Sequence, residues 1–178
     1  MVSPDEQDVV AVLAGDVDRF EGIVRRWQTP LVNLAWRYVR DAARAEELAQ
    51  EAFLKCFRSL HQWRHDAEFS TWLFAIAMSV YSSQVRRFQP VFEALDEALA
   101  DSRAAPDRLA GDEERRDAVR RAVAALPSRY RDPLIVFYFQ EEDLASTAAI
   151  LGLRDGTLKA RLHRAREKLR ETLGDIST

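Results

Sequence analysis

At 178 residues, 47% hydrophobic and 31% charged, the chain can build one large or two small domains with real cores. It has no run of about 18 apolar residues to span a bilayer, and the acidic start MVSPDEQD is unlike a cationic signal peptide, so no membrane insertion and a cytoplasmic location are expected. The single cysteine, Cys56, excludes an internal disulfide, and six glycines and six prolines leave little room for a β-rich design.

In chain order, Val9, Val10, Val12 and Leu13 make a short amphipathic start that Gly15 ends. Asp16 then caps a helix carrying Phe20, Ile23, Val24 and Trp27. Thr29-Pro30 reads either as a fresh N-cap and first helical position or as a kink before Leu31, Leu34, Ala35 and Tyr38. From Asp41 to about Leu60 a run of good helix formers places Leu48, Ala52, Phe53, Cys56, Phe57 and Leu60 one turn apart. Its other side shows Glu46, Glu47, Gln50 and Glu51, either a solvated acidic face or an interaction face.

His61 to Phe69 breaks the pattern and is expected to be a loop. His61 and His65 lie four apart with Cys56 nearby, but no second ligand pair follows, so neither metal nor cofactor is expected. Trp63 and Arg64 suit a flat or anionic partner better. Ser70 caps the next helix, whose Trp72, Leu73, Ile76, Val80 and Tyr81 need a core; aromatic residues beside Arg86 and Arg87 also suit unpaired bases. Gln89 to about Asp112 is rich in Ala, Asp, Glu and Pro and reads as a linker with a short helix around Val91 to Leu99. A second helical unit follows, with Val119, Ala122, Val123 and Leu126 in one stripe. After Pro127 comes SRYRDPLIVFYFQ, in which Pro133 is either tolerated or kinks the helix.

From Glu141 to Arg170 the grammar is helix-turn-helix: Asp143 caps a helix from Leu144 to Leu151, Gly152 ends it and Asp155 caps a second. In the second helix Leu158, Leu162, Ala165, Leu169 and Leu173 form the apolar stripe. Seven cations between Arg154 and Arg170 face only two acids, Asp155 and Glu167, and small Ala145 and Ala148 allow close helix crossing. Such a helix suits a DNA major groove. The net charge of −3 speaks against nucleic acid, but it is segregated: six acids against one Arg in residues 1–21, nine acids against four Arg in 93–117.

Taken together, AEELAQEAFLKCF with FSTWLFAIA, then ALPSRYRDPLIVFYF with LGLRDGTLKARLHRAREKLRETL, resemble the extracytoplasmic-function (ECF) sigma factors of bacterial RNA polymerase over nearly the whole chain. The resemblance implies an all-α fold of two small domains: a sigma-2-like unit at 1–88, a flexible acidic linker at 89–112 and a sigma-4-like helix-turn-helix unit at 113–178. It implies that Glu46, Glu47, Gln50, Glu51 and Phe53 grip the coiled coil of the polymerase β′ clamp, with the β flap a further polymerase contact. It implies −10 recognition by the Trp63–Phe69 loop, including Arg64 and His65, together with Trp72, Ser79, Arg86 and Arg87. At the −35 element it implies that Lys159, His163 and Arg164 read bases while Thr157, Arg161 and Arg166 lie nearer the phosphates. An anti-sigma factor or another regulator is a further implied partner.

Two departures stand out. The family's melting helix commonly carries Ile-Ala-Arg-Asn and then an Asp; here Met78, Ser79 and Ser83 take those places, and a serine hydroxyl reaches less far than an amide. In the reader, Ala145, Ser146 and Thr147 replace a common Glu-Glu-Ile, a change expected on that helix's outer face more than in its packing. The expected function is a non-enzymatic initiation factor, since no nucleophile-base pair, phosphate loop or metal cluster is legible. The alternatives are a sigma-like protein acting mainly by anti-sigma sequestration with weak promoter opening, and, last, a helix-turn-helix regulator with an N-terminal sensor. Ser79, Ser82, Ser83 and Ser146 are possible phosphate acceptors with no motif favouring any.

Overall fold

The computed structural model describes residues 2–99, 112–141 and 143–174, the side chains of 85–99 and 112–113 excepted. Its described residues form eight α-helices and no strand. Three helices make the first core. They are α2 (Phe20–Val39), α3 (Ala42–Ser59) and α4 (Phe69–Leu99), which bury Ile23, Leu31, Leu34, Leu48, Ala52, Leu73 and Tyr81 between them. Pro30 lies inside α2, so Thr29-Pro30 does not restart the helix. Asp41 caps α3 by accepting from the Arg44 N–H at 2.7 Å. Asp16 makes no side-chain cap; it precedes a single 3-10 turn, Val17–Arg19, and α2 begins at Phe20.

The amphipathic start is α1 (Pro4–Leu13), closed by a reciprocal capping box between Ser3 and Glu6. It is riveted to α2 by charge. Asp8 is buried with Arg19 at 2.7 Å and Arg26 beside it, and Asp5 accepts from Arg26 and from the Trp27 indole at 3.1 Å. Gly22 leaves room for this approach, since a Cβ there would sit 2.5 Å from Asp8 Oδ2.

The second unit holds α5 (Asp112–Ala124), α6 (Ser128–Phe139), α7 (Leu144–Leu151) and α8 (Asp155–Leu173). Leu126, Leu134, Phe137, Ala148, Leu158, Leu162 and Ala165 form its own core. Pro133 is accommodated inside α6 and buried. Helix α4 runs without interruption to Leu99, so the short helix expected at 91–99 is the end of α4; linker residues 100–111 lie outside the described residues.

The two units close on each other. Ile135, Val136 and Ile150 are buried in the first unit's core, and Phe139 meets Phe74 edge-on at 5.5 Å. Ser82 donates to Asp132 at 2.7 Å. Arg131 is buried with its guanidinium 5.7 Å from the Tyr38 ring, and its Nη2 has no hydrogen-bond partner among the described residues. Burial pushes the Tyr38 hydroxyl well above its ordinary pKa, and the nearby Asp132 carboxylate adds to it.

Candidate nucleic-acid interface

The helix-turn-helix forms for local reasons. The Asp143 carboxylate accepts from the N–H groups of Ala145 and Ser146, at 3.0 and 3.3 Å, and Gly152 adopts φ +61° to end α7. Asp155 is the first residue of α8 rather than its cap, placing a carboxylate at the positive end of the helix dipole. Thr147 is fully buried, its hydroxyl donating to the Asp143 carbonyl at 2.6 Å, so that departure lies in the packing and not on the outer face. Ala148 is buried at the crossing, while Ala145 is exposed and takes no part in it.

At about 100° per residue, the cations of α8 flank the apolar stripe on two sides instead of opposing it. One row is Thr157, Arg161, Arg164 and Lys168; the other is Lys159, His163, Arg166 and Arg170; between them the outer ridge carries Gly156 and Ala160 in the first half of the helix and Glu167 and Glu171 in the second. Over the N-terminal half of α8, a low ridge with a cationic row on each side fits a groove whose two walls are phosphates, while Glu167 and Glu171 make the C-terminal half less suited to it. Thr157, Lys159, His163 and Arg164 are exposed. Glu167 partners both His163 (3.6 Å) and Arg164 (3.1 Å). Arg166 leans over Phe137 and Lys168 over Tyr130, at 5.8 and 5.9 Å. Arg161 lies in a shallow cleft beside Ser128, Asp132 and Leu153.

In the first unit the loop between the 3-10 turn Leu60–Gln62 and α4 folds on its own aromatic residues. Trp63 and Phe69 are 8% and 2% exposed, so they floor the loop and are not free stacking faces. Trp63 donates to the Ala67 carbonyl at 3.2 Å, and His65, with φ +61°, stacks on it at 3.9 Å. Arg64 and His65 are exposed. Together with Thr71, Trp72 and Ala75 the loop lines an open cleft of about 620 Å³, one wall of which is Ala149 of α7. Trp72, Ser79 and Ser83 share one ridge of α4, on whose register Arg86 also falls; the side chains of Arg86 and Arg87 lie outside the described residues. Met78 is buried and accepts from the Tyr38 hydroxyl at 3.5 Å, so it stands behind that ridge. Ser83 is turned back onto its own helix through the Val80 carbonyl.

On α3, Glu46, Glu47 and Gln50 are exposed, while Glu51 is half-buried and accepts from Gln84 at 3.0 Å. Phe53 is 7% exposed and packs edge-on against Phe20, making it a core residue and not a surface grip. The apolar groups on the acidic face are Leu54 and Phe57, 56% and 37% exposed. Helical spacing from Glu46 through Gln50 to Leu54 and Phe57 carried that signal, but an apolar residue is assigned to the core by default. Among the described residues no cluster of three His, Cys, Asp or Glu groups could hold a metal, and no helix is long and apolar enough to cross a membrane.

Residues 23–89 match the Sigma-70 region 2 family and residues 116–169 the Sigma-70 region 4 family. The RNA polymerase sigma-H factor of Pseudomonas aeruginosa is 31% identical, over 95% of this chain and 93% of that protein. The ECF RNA polymerase sigma factor SigM of Mycobacterium tuberculosis is 33% identical, over 98% of this chain and 87% of that one. The chain belongs to the ECF sigma factors. It is an alternative sigma factor that binds core RNA polymerase and promoter DNA and directs promoter-specific transcription initiation. Among solved structures, CnrH in complex with the cytosolic domain of CnrY shares the fold with a TM-score of 0.69 at 20% identity, over 98% of this chain and 100% of that one. The sigma factor RpoE of Bartonella quintana, crystallised with the anti-sigma factor NepR, shares it at 0.60 and 22%, over 88% of this chain and 98% of that one.

Proposed function

We propose that this sigma factor works in the cytoplasm as a non-enzymatic initiation factor whose two units divide the promoter between them. Residues 1–88 take core polymerase and the −10 strand, 113–178 take the −35 duplex, and the acidic stretch 89–112, whose first part to Leu99 still belongs to α4, connects them; the family matches at 23–89 and 116–169 fit this division. The observation that carries the reading is the N-terminal half of the α8 surface, where Gly156 and Ala160 form a low ridge between two cationic rows before Glu167 and Glu171 take the ridge over. On it Lys159, His163 and Arg164 reach base edges, and Thr157, Arg161 and Arg166 hold phosphates. On α4 and its loop, Arg64, His65, Trp72 and Ser79 face the opening strand, with Arg86 and Arg87 further along the helix, while Trp63 and Phe69 shape the loop from beneath.

The β′ coiled coil meets Glu46, Glu47 and Gln50 through charge and Leu54 and Phe57 through apolar contact, Glu51 and Phe53 supporting from behind. The β flap meets the second unit. An anti-sigma factor is a fitting regulator, since RpoE, which shares this fold, is held by NepR.

Run-off transcription with purified core polymerase, on promoters selected from random −35 and −10 sequences, tests the whole reading. Protein-dependent transcripts sharing both elements are expected. A protein that binds core polymerase tightly yet opens no promoter would instead be acting by sequestration, the reading that Ser79 in the melting helix favours.

A further inference from the structure

Ser79 departs from the family pattern at the centre of the α4 ridge, yet it is not alone there. Met78 and Val80 on either side are buried, so Ser79 is the outward residue of its turn. Lys55, exposed on α3, crosses to it and donates from Nζ to Ser79 Oγ at 2.7 Å. Lys55 makes no ion pair among the described residues, although Glu51 lies one turn away on the same helix; that carboxylate is occupied by Gln84. The ammonium is therefore held on this ridge by a hydroxyl and has no counter-ion among the described residues.

We propose that Lys55 and Ser79 act as one base-reading unit for the −10 strand, selecting a keto base, guanine foremost, at the position Ser79 faces. This deepens the reading of α4 given above and rests on it. An ammonium has three donors and no acceptor, and a hydroxyl has one donor and two lone pairs. The Lys55–Ser79 bond uses one ammonium donor and one lone pair, leaving three donors against a single lone pair. A donor-rich pair satisfies the major-groove edge of guanine, where O6 and N7 both accept, or thymine O4. Adenine offers only N7 and cytosine no acceptor there, and each presents an amino donor that the single remaining lone pair alone could take, so more of the three donors go unpaired than with guanine. An asparagine amide, with one acceptor beside its donors, would instead suit adenine. Lysine also adds the reach that serine lacks.

The experiment is binding of fluorescent non-template-strand oligonucleotides, with each −10 position varied in turn, to holoenzyme assembled from core polymerase and the full chain. This readout does not require promoter opening. Wild type is expected to prefer keto over amino bases by about tenfold at one position. Lys55→Met should erase that preference there while leaving the other −10 positions, the −35 preference and core affinity unchanged. Ser79→Asn should move the preference toward adenine. If Lys55→Met weakens every sequence equally, with a smaller salt dependence, Lys55 is a phosphate contact and the proposal is overturned. An unchanged preference overturns it as well. If wild-type holoenzyme shows no base preference anywhere along the −10 strand, the DNA-reading role of α4 fails first and takes the proposal with it.

Discussion

A −35 and a −10 element lie about 25 base pairs apart, roughly 85 Å along B-form DNA. A compact 178-residue chain has a radius of gyration of only ~16 Å, about 40 Å across. The closed arrangement therefore cannot touch both elements, and the seam between α4 and the pair α6 and α7 must part for initiation. Ile150 is the residue with which to test this. It sits on α7 but is buried, 5% exposed, in the core of the other unit. Ile150→Ala removes three carbons from the seam without disfavouring the helix, a loss of about 2–3 kcal/mol at roughly 0.8 kcal/mol per buried carbon. That multiplies the opening constant roughly 30- to 150-fold. The seam is poised for such a shift, because closure also buries the Arg131 guanidinium with one nitrogen unpartnered, which opposes the apolar gain. Small-angle scattering should show a larger radius of gyration at unchanged helicity, and a titration of core polymerase should show tighter assembly, since more of the chain is competent to bind. A variant that stays compact with normal circular dichroism, and assembles no better, would refute the reasoning.

Burial pushes the Cys56 thiol up to about 12, so it should resist a thiol reagent at pH 8 in the native protein and react at once in denaturant. The Asp143 carboxyl is held below its ordinary range by hydrogen bonding from Ser146 and the Ala145 N–H. Its stabilisation of α7 should be complete above the ordinary aspartate value and disappear as pH falls through the lowered one, so Asp143→Asn should flatten the acid limb of a melting-temperature curve without altering the neutral plateau much. Gly22→Ala should cost about 1–3 kcal/mol in urea unfolding, because its Cβ would strike Asp8 Oδ2 and shift the buried charges that hold α1 to α2.

What the sequence made legible follows from how local each signal is. Asp143, Gly152 and the Leu158, Leu162, Ala165 stripe act within a turn or two of themselves, and the helix-turn-helix built from them stands as read. The errors arose where a neighbour from elsewhere in the chain decides the outcome. Phe53 and Phe57 are equally apolar, four residues apart and on one side of α3, yet Phe53 is 7% and Phe57 37% exposed, because burial depends on how far along that side the neighbouring elements reach. Trp63 read as a base-stacking aromatic until Phe69 and His65 were seen packed around it. Of the two readings of Thr29-Pro30, a restart or a kink, the restart fails, because α2 is long and packed enough to carry a proline that lacks a donor.

The seam was illegible for the same reason, and its make-up shows why periodicity alone misses it. Ile135, Val136 and Ile150 satisfy the stripe of a small helical domain read in isolation, whereas Ser82, Asp132, Tyr38 and Arg131 each read as ordinary surface or core residues. The joining of Ser82 to Asp132, 50 positions apart, and of Arg131 to the Tyr38 ring, beside the Phe139–Phe74 contact, shows that the two units share one boundary. A surface that must close and also open cannot be a continuous apolar stripe. Mixing apolar and incompletely satisfied polar contacts keeps its net strength small, and the same mixture hides it from a reading built on hydrophobic pattern.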